Sequence, residues 1–242
     1  VCYRCVTKVL ASWSSPRKRG ARTASLDVDL DSCFRRNDIS RTGSHIPFFM
    51  VVLNPVRIDN PGGISNKNHM TNTPYNVIVA GGGPAGLMAA AAAGSSGKKV
   101  LLIEKMHGPG RKLLLTGNGR CNLTHTGDVG SFIRAYSRTG DFLRNAFSRF
   151  FNTDLIGYVE SHGVMLQEEE GGKVYPVSGR ALDLLDMLVS DVSQHGVQLK
   201  TDTEIADVVA EGGVVRGILT AAGEKIAADS VVLATGGKSY PK

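Results

Sequence analysis

Three glycines and one acid are the residues whose spacing could do chemistry. Gly81-Gly82-Gly83-Pro84-Ala85-Gly86 follows an apolar run, Asn76–Ala80, and opens an alanine-rich stretch, Leu87–Ala93. In a strand–turn–helix unit, glycines at the first, third and sixth positions have separate duties. Gly81 permits the sharp exit from the strand, Gly83 lets a pyrophosphate meet bare backbone, and Gly86 lets the helix lie close to the sheet. The helix start then aims free N–H groups and the positive end of its dipole at the phosphates. Pro84 suits the first helical position, where a missing N–H is not needed. Glu104 stands 21 residues after Gly83, at the end of a second apolar run, Lys99–Ile103. A carboxylate there can accept hydrogen bonds from both ribose hydroxyls of an adenosine. It would repel a 2′-phosphate, which disfavours NADP at this position.

The same pattern serves NAD and FAD. Two features favour FAD. A long insertion, instead of further βα units, follows the first βαβ unit, and a β-meander then leads into a strand, Asp229–Ala234, that ends in Thr235-Gly236-Gly237. Small residues at 234–237 allow close approach to a cofactor lying on the first glycine turn.

These groups need elements to position them. Asn76–Ala80 and Lys99–Ile103, joined by an alanine-rich helix, make a βαβ unit, hence parallel strands with a right-handed crossover. Residues 106–126 read as a glycine-rich loop. Helices are expected at Ser131–Tyr136, Asp141–Phe151, Thr153–His162 and Gly179–His195, the last carrying Leu182, Leu185, Leu188, Val189 and Val192 near helical spacing. Glu168-Glu169-Glu170 reads as a solvated turn. Val197–Leu199 is a short strand, and Glu204–Ala210, Val214–Thr220 and Glu224–Ala227, separated by Gly212-Gly213 and Gly223, read as a three-stranded antiparallel meander.

Charge divides the chain. Residues 1–74 hold 11 Lys and Arg against 5 Asp and Glu, whereas residues 75–242 hold 17 of each, so the whole net charge of +6 belongs to the first segment. Its cluster of Arg17, Lys18, Arg19 and Arg22 has no interleaved aromatics and no nucleic-acid reading motif; a solvated basic segment is expected, and no nucleic-acid partner. Residues 1–74 are expected to be a disordered or non-native extension, with Met70 as the natural start and the stretch before it an extended reading frame. No apolar run approaches the ~20 residues that a membrane-spanning helix requires, so no membrane partner is expected. Cys2, Cys5 and Cys33 lie in the first segment and only Cys121 beyond it, which favours a reducing, cytoplasmic setting without a disulfide framework. The C-x-x-C of Cys2 and Cys5 has no second pair, and His107, His125, His162 and His195 are scattered, so no metal site is expected.

Three further motifs carry a family resemblance. Lys112-Leu-Leu-Leu-Thr-Gly-Asn-Gly-Arg-Cys-Asn-Leu-Thr124, Gly172-Lys-Val-Tyr-Pro-Val-Ser178 and Ala234-Thr-Gly-Gly-Lys-Ser-Tyr-Pro241 resemble, in the same order, signatures of the BaiN/YhiN-like flavoproteins, also called aminoacetone-oxidase-family FAD-binding enzymes. His125 stands where that family usually has Asn. The resemblance covers residues 75–242. It implies an α/β, Rossmann-like domain of the glutathione-reductase type, with a parallel sheet and an antiparallel meander, that binds FAD. It implies that Gly81, Gly83, Pro84, Ala85, Gly86 and Glu104 hold the ADP half, with Gly82, Lys105 and Lys112 beside them. Thr116, Gly117, Asn118, Gly119, Arg120, Cys121 and Asn122 are expected along the flavin, Arg120 offsetting pyrophosphate or reduced-flavin charge. Ile205 is expected to meet the adenine through its backbone, and Ala234, Thr235, Gly236 and Gly237 to run back beside the first turn. Cys121 reads as a small packing residue and not a redox thiol, since residues 75–242 contain no second Cys.

Family members continue past the Ser-Tyr-Pro turn into an inserted substrate domain and a second cofactor-binding segment. The chain is therefore expected to be the N-terminal, C-terminally truncated part of an enzyme. The expected activity is two-electron transfer to or from a small molecule, with NADH or NADPH as a possible donor and no catalytic residue assigned. A non-catalytic nucleotide-binding fragment and an NAD-dependent dehydrogenase are the alternatives.

Overall fold

The computed structural model describes residues 51–53 and 75–237. The expectation of a disordered or non-native extension falls on the first 74 residues, and apart from 51–53 these lie outside the described residues, as do the last four residues of the third signature.

Strands β2 (Tyr75–Ala80) and β3 (Val100–Ile103) lie parallel with helix α1 (Pro84–Ser95) between them in sequence. β3 is buried throughout and β2 over Ile78–Ala80, on both faces, as near-continuous apolar runs in a parallel sheet must be. β3 pairs on its far side with β7 (Gln198–Lys200), again in parallel. β2 pairs on its other side with β10 (Lys225–Leu233), Val232 opposite Val79 and Leu233 opposite Ala80. The sheet continues antiparallel through β9 (Val214–Thr220) and β8 (Ile205–Glu211), giving the order β7-β3-β2-β10-β9-β8. β1 (Val51–Leu53) lies antiparallel along the end of β10. No strand is expected there from the sequence, because three residues carry no periodicity.

The third meander strand and the last strand are one element. β10 pairs antiparallel with β9 over Lys225–Ala227 and then parallel with β2 from Ala228 to Leu233. Nothing between Ala227 and Asp229 is a turn residue, so the chain runs straight from one partner to the other.

The two faces of the sheet have separate cores. Val79, Val100, Leu102 and Val232 meet α1 and helix α6 (Ala181–Gln194), which contributes Leu184, Leu185, Leu188 and Val192. Ile78, Leu101, Ile103 and Val231 face Ile218 and Ile226 of the meander. Between β3 and α6 lie α2 (Arg111–Leu115), α3 (Val129–Ala135), α4 (Arg144–Phe147) and α5 (Asn152–Ser161), with a 3-10 turn at Ser137–Leu143 before α4. Asp128 caps α3, accepting from Ser131 N–H at 2.7 Å. A second, small antiparallel sheet joins β4 (Thr124–His125), β6 (Lys173–Pro176) and β5 (Leu166–Glu169). It corrects the reading of 168–170 as a turn for two of the three residues: Glu168 and Glu169 are strand residues, held there by pairing with Val174 and Lys173, and Glu170 lies in the turn that follows.

Candidate functional site

The glycine turn sits at the C-terminal ends of β2 and β10. A Cβ on Gly86 would stand 1.8 Å from the carbonyl oxygen of Gly81, and one on Gly81 would stand 2.6 Å from the carbonyl oxygen of Ala234. The turn, the start of α1 and the end of β10 are thus pressed together, which only bare backbone allows. Gly83 differs. It caps α1 with φ −74°, and a Cβ there would meet nothing within 4 Å. Its bareness answers to space and not to protein. Pro84 occupies the first helical position, as expected, and no side chain caps the helix. The first N–H groups of α1 therefore face an open cleft with the positive end of the dipole behind them.

Glu104 closes one side. Its Oε2 accepts from Gly82 N–H at 2.7 Å and its Oε1 from Met106 N–H at 2.8 Å. Each oxygen keeps lone-pair capacity, so a rigidly aimed carboxylate can still accept two more donors.

The cleft measures about 790 Å3. Of the expected residues, Gly81, Gly83, Pro84, Glu104, Lys105 and Lys112 line it. Ile205, Ala234, Thr235 and Gly236 complete the wall from the meander and β10. Gly82, Ala85 and Gly86 support the turn from behind, and Gly237 accepts a hydrogen bond from Lys112 Nζ at 3.1 Å. Lys105 Nζ is paired with Glu204 Oε1 at 2.7 Å across the cleft mouth. Sequence reasoning missed Met106, Gly110, Arg111, Leu115, Thr203 and Glu204, which also line it. Arg111 had a legible signal, a cation directly after Gly108-Pro109-Gly110; the others are recognisable only once the chain after β3 lies beside the loop that leads into β8, where Thr203 N–H donates to the Glu104 carbonyl at 3.0 Å.

Residues 116–122 do not line the cleft; they follow Leu115, which does. Gly117 and Asn118 take left-handed backbone (φ 57° and 56°), as do Gly119 and Cys121. This tight turn is fastened to the small sheet. The Arg120 guanidinium lies 4.4 Å from the centre of the Tyr175 ring, and its Nη2 donates to Glu169 Oε1. That hydrogen bond holds the Glu169 carboxyl below the usual carboxylate range and raises Arg120. Arg120 is thus committed to Glu169 in the protein itself. Cys121 is wholly buried, and burial pushes its thiol pKa up, opposed by a hydrogen bond with Thr116. A buried thiol of that kind packs and does not attack. Among the described residues no group of three or more His, Cys, Asp and Glu is arranged to hold a metal ion. No helix among them is long and apolar enough to cross a membrane.

A parallel sheet carrying a glycine turn, a helix N-terminus and an acid at the end of the second strand defines a Rossmann domain of the dinucleotide-binding class. The chain belongs to the family of the HI0933-like protein Rossmann domain, whose model matches residues 75–242. It is 33% identical over 145 residues to a ribosomal RNA dihydrouridine synthase of Escherichia coli, covering 59% of this chain and 34% of that protein. It is 34% identical over 143 residues to the 3-dehydro-bile acid delta(4,6)-reductase of Clostridium scindens, covering 58% and 33%. The matched region spans about a third of the length of these curated relatives. Among solved structures, the 3-ketosteroid-delta4-(5alpha)-dehydrogenase of Rhodococcus jostii RHA1 aligns with a TM-score of 0.46 at 18% identity, over 71% of this chain and 46% of that one.

Proposed function

We propose that the cleft binds FAD through its ADP half and that the chain is the cofactor-binding part of a flavin-dependent oxidoreductase. The observation that carries this reading is the pairing of Gly83, bare beside open space at the start of α1, with Glu104, whose two oxygens are fixed by backbone amides. Glu104 would hold the ribose, the first turn of α1 the diphosphate, and Ile205 the adenine through its backbone. Residues 116–122 continue from the cleft wall at Leu115 and would meet the ring. Flavin supplies two-electron chemistry when bound, and the protein positions it and sets the charge around it.

The substrate reading is a small molecule bearing a carbon–carbon double bond conjugated to a carbonyl. Support comes from the names of the two relatives, one a dihydrouridine synthase and the other a delta(4,6)-reductase: uracil and a 3-oxo bile acid both present such a bond. The balance would be a hydride and a proton added across the bond, with NADH or NADPH oxidised to replace the two electrons. The even charge of residues 75–242, 17 basic and 17 acidic, favours a free small molecule over RNA. The ribosomal RNA relative favours a second reading, uridine within RNA. Cys121, buried and the one cysteine of residues 75–242, suits a reducing, cytoplasmic setting.

The test is reconstitution. The purified chain, incubated with FAD and desalted, should retain a yellow chromophore absorbing near ~450 nm that denaturation releases. A colourless protein that binds NAD tightly would favour the dehydrogenase reading instead. Reduction of the bound flavin by NADH or NADPH, followed by turnover of an enone or of uridine in RNA, separates enzyme from inert fragment and one substrate from the other.

A further inference from the structure

We propose that Arg111 is the side chain that recognises the diphosphate in this cleft, a role that rests on reading the cleft as a nucleotide site. Three cations line it, and two are already engaged. Lys105 is paired with Glu204, and Lys112 donates to the carbonyl of Gly237. Arg111 is exposed and lines the cleft, and its side chain makes no ion pair or hydrogen bond among the described residues. It is a charged, five-donor fork with no hydrogen-bond or ion-pair partner among the described residues.

Its position is fixed by its neighbour. Gly110 N–H donates to the carbonyl of Gly82 at 2.9 Å, so α2 begins against the glycine turn. A Cβ on Gly110 would stand 2.4 Å from Leu185 Cδ1, so the same point is pressed from behind by α6. Arg111 is the next residue. It is therefore rooted one residue from a bond to the turn whose third glycine faces open space. The acids of the cleft do not compete for it: Glu104 is held by two amides and Glu204 by Lys105. An anion placed at Gly83 meets the partial charge of α1 on one side and a full charge on the other. A guanidinium fork matches two phosphate oxygens at once, which an ammonium cannot. Lys112 acts differently, holding the 234–237 segment through Gly237.

Calorimetry with adenosine, ADP and FAD as probes tests the assignment. Arg111→Ala should weaken ADP and FAD by about tenfold or more and leave adenosine within about twofold. Arg111→Lys should recover part of the loss, and both variants should keep the wild-type melting temperature, since the Arg111 side chain is exposed and makes no ion pair or hydrogen bond among the described residues. ADP affinity should also fall less steeply with salt in Arg111→Ala than in wild type. Unchanged ADP binding in Arg111→Ala overturns the proposal while leaving the nucleotide site intact; so does a loss that adenosine shares equally, or one that only FAD suffers. A wild-type chain that takes up none of the three probes overturns both.

Discussion

The amide of Gly82 donates to Oε2 of Glu104, 22 positions along the chain, at 2.7 Å. The bond joins the turn after β2 to the acid after β3, so neither can move without the other. Glu104→Gln presents one acceptor and one donor where the protein needs two acceptors, and it leaves either Gly82 or Met106 N–H facing an NH2 group. Unfolding in urea should show a loss of about 1 kcal/mol, the site being only partly buried. Adenosine binding, measured by calorimetry, should weaken about tenfold, and discrimination against 2′-phosphorylated ADP should shrink because the repelling charge is gone.

Two glycines of one turn should respond oppositely to alanine. In Gly86→Ala the new methyl has the Gly81 carbonyl oxygen 1.8 Å away, and that oxygen belongs to backbone that cannot give. A loss of about 3 kcal/mol or failure to fold is expected. Gly83→Ala has open space and an ordinary φ of −74°, so thermal stability should hold or rise slightly. Its methyl enters the cleft instead, and ADP affinity should drop by about tenfold or more. Equal melting temperatures for the two variants would refute this division of roles.

Asp191 of α6 is the buried polar centre of the helical layer. Its side chain is 6% exposed; Oδ2 accepts from Tyr158 at 2.5 Å, and Nε2 of both His162 and His195 lies 3.3 Å from Oδ1. Tyr158→Phe removes one of the carboxylate's donors and should cost about 1–2 kcal/mol in chemical denaturation. Asp191→Ala should cost more, since three donors lose a shared acceptor and α5 loses its tie to α6. Neither should alter ADP affinity in a protein kept below its melting temperature. A Tyr158→Phe variant as stable as wild type would show that the carboxylate is satisfied without it.

The Cys121 thiol gives a pH signature. Its pKa is raised in the fold by burial, so the unfolded chain loses this proton first as pH rises. The contribution to stability is present in full below the unfolded thiol's pKa, about 8.5, and is lost as pH rises toward the folded value. The stability difference between wild type and Cys121→Ala should therefore shrink above about pH 8.5, measured as unfolding free energy across the alkaline range. Thiol reagents should label Cys121 only in denaturant at neutral pH.

The βαβ frame was legible because its signals are local. Asn76–Ala80 and Lys99–Ile103 are unbroken apolar runs, and each glycine duty concerns atoms within a few residues or on the next strand. The small sheet was not legible: β4 has two residues, and Leu166-Gln167-Glu168-Glu169 shows no alternation. Its register comes from β6, not from itself. Helix α2 was hidden between glycines in a stretch that reads as loop. The partner of Arg120 was hidden by distance, since Glu169 lies 49 residues away and enters only through the β5–β6 pairing. Charge partners set by tertiary contact leave no periodic trace in a sequence.

β10 exchanges hydrogen bonds with the meander in its first three residues and with β2 in its last six. A single continuous rod thus crosses the boundary between the antiparallel and parallel halves and ends against the glycine turn. Opening the meander would drag on the strand that backs Gly81. Slow amide exchange should therefore extend from β2 into β9 as one cooperative block, with no separately melting flap.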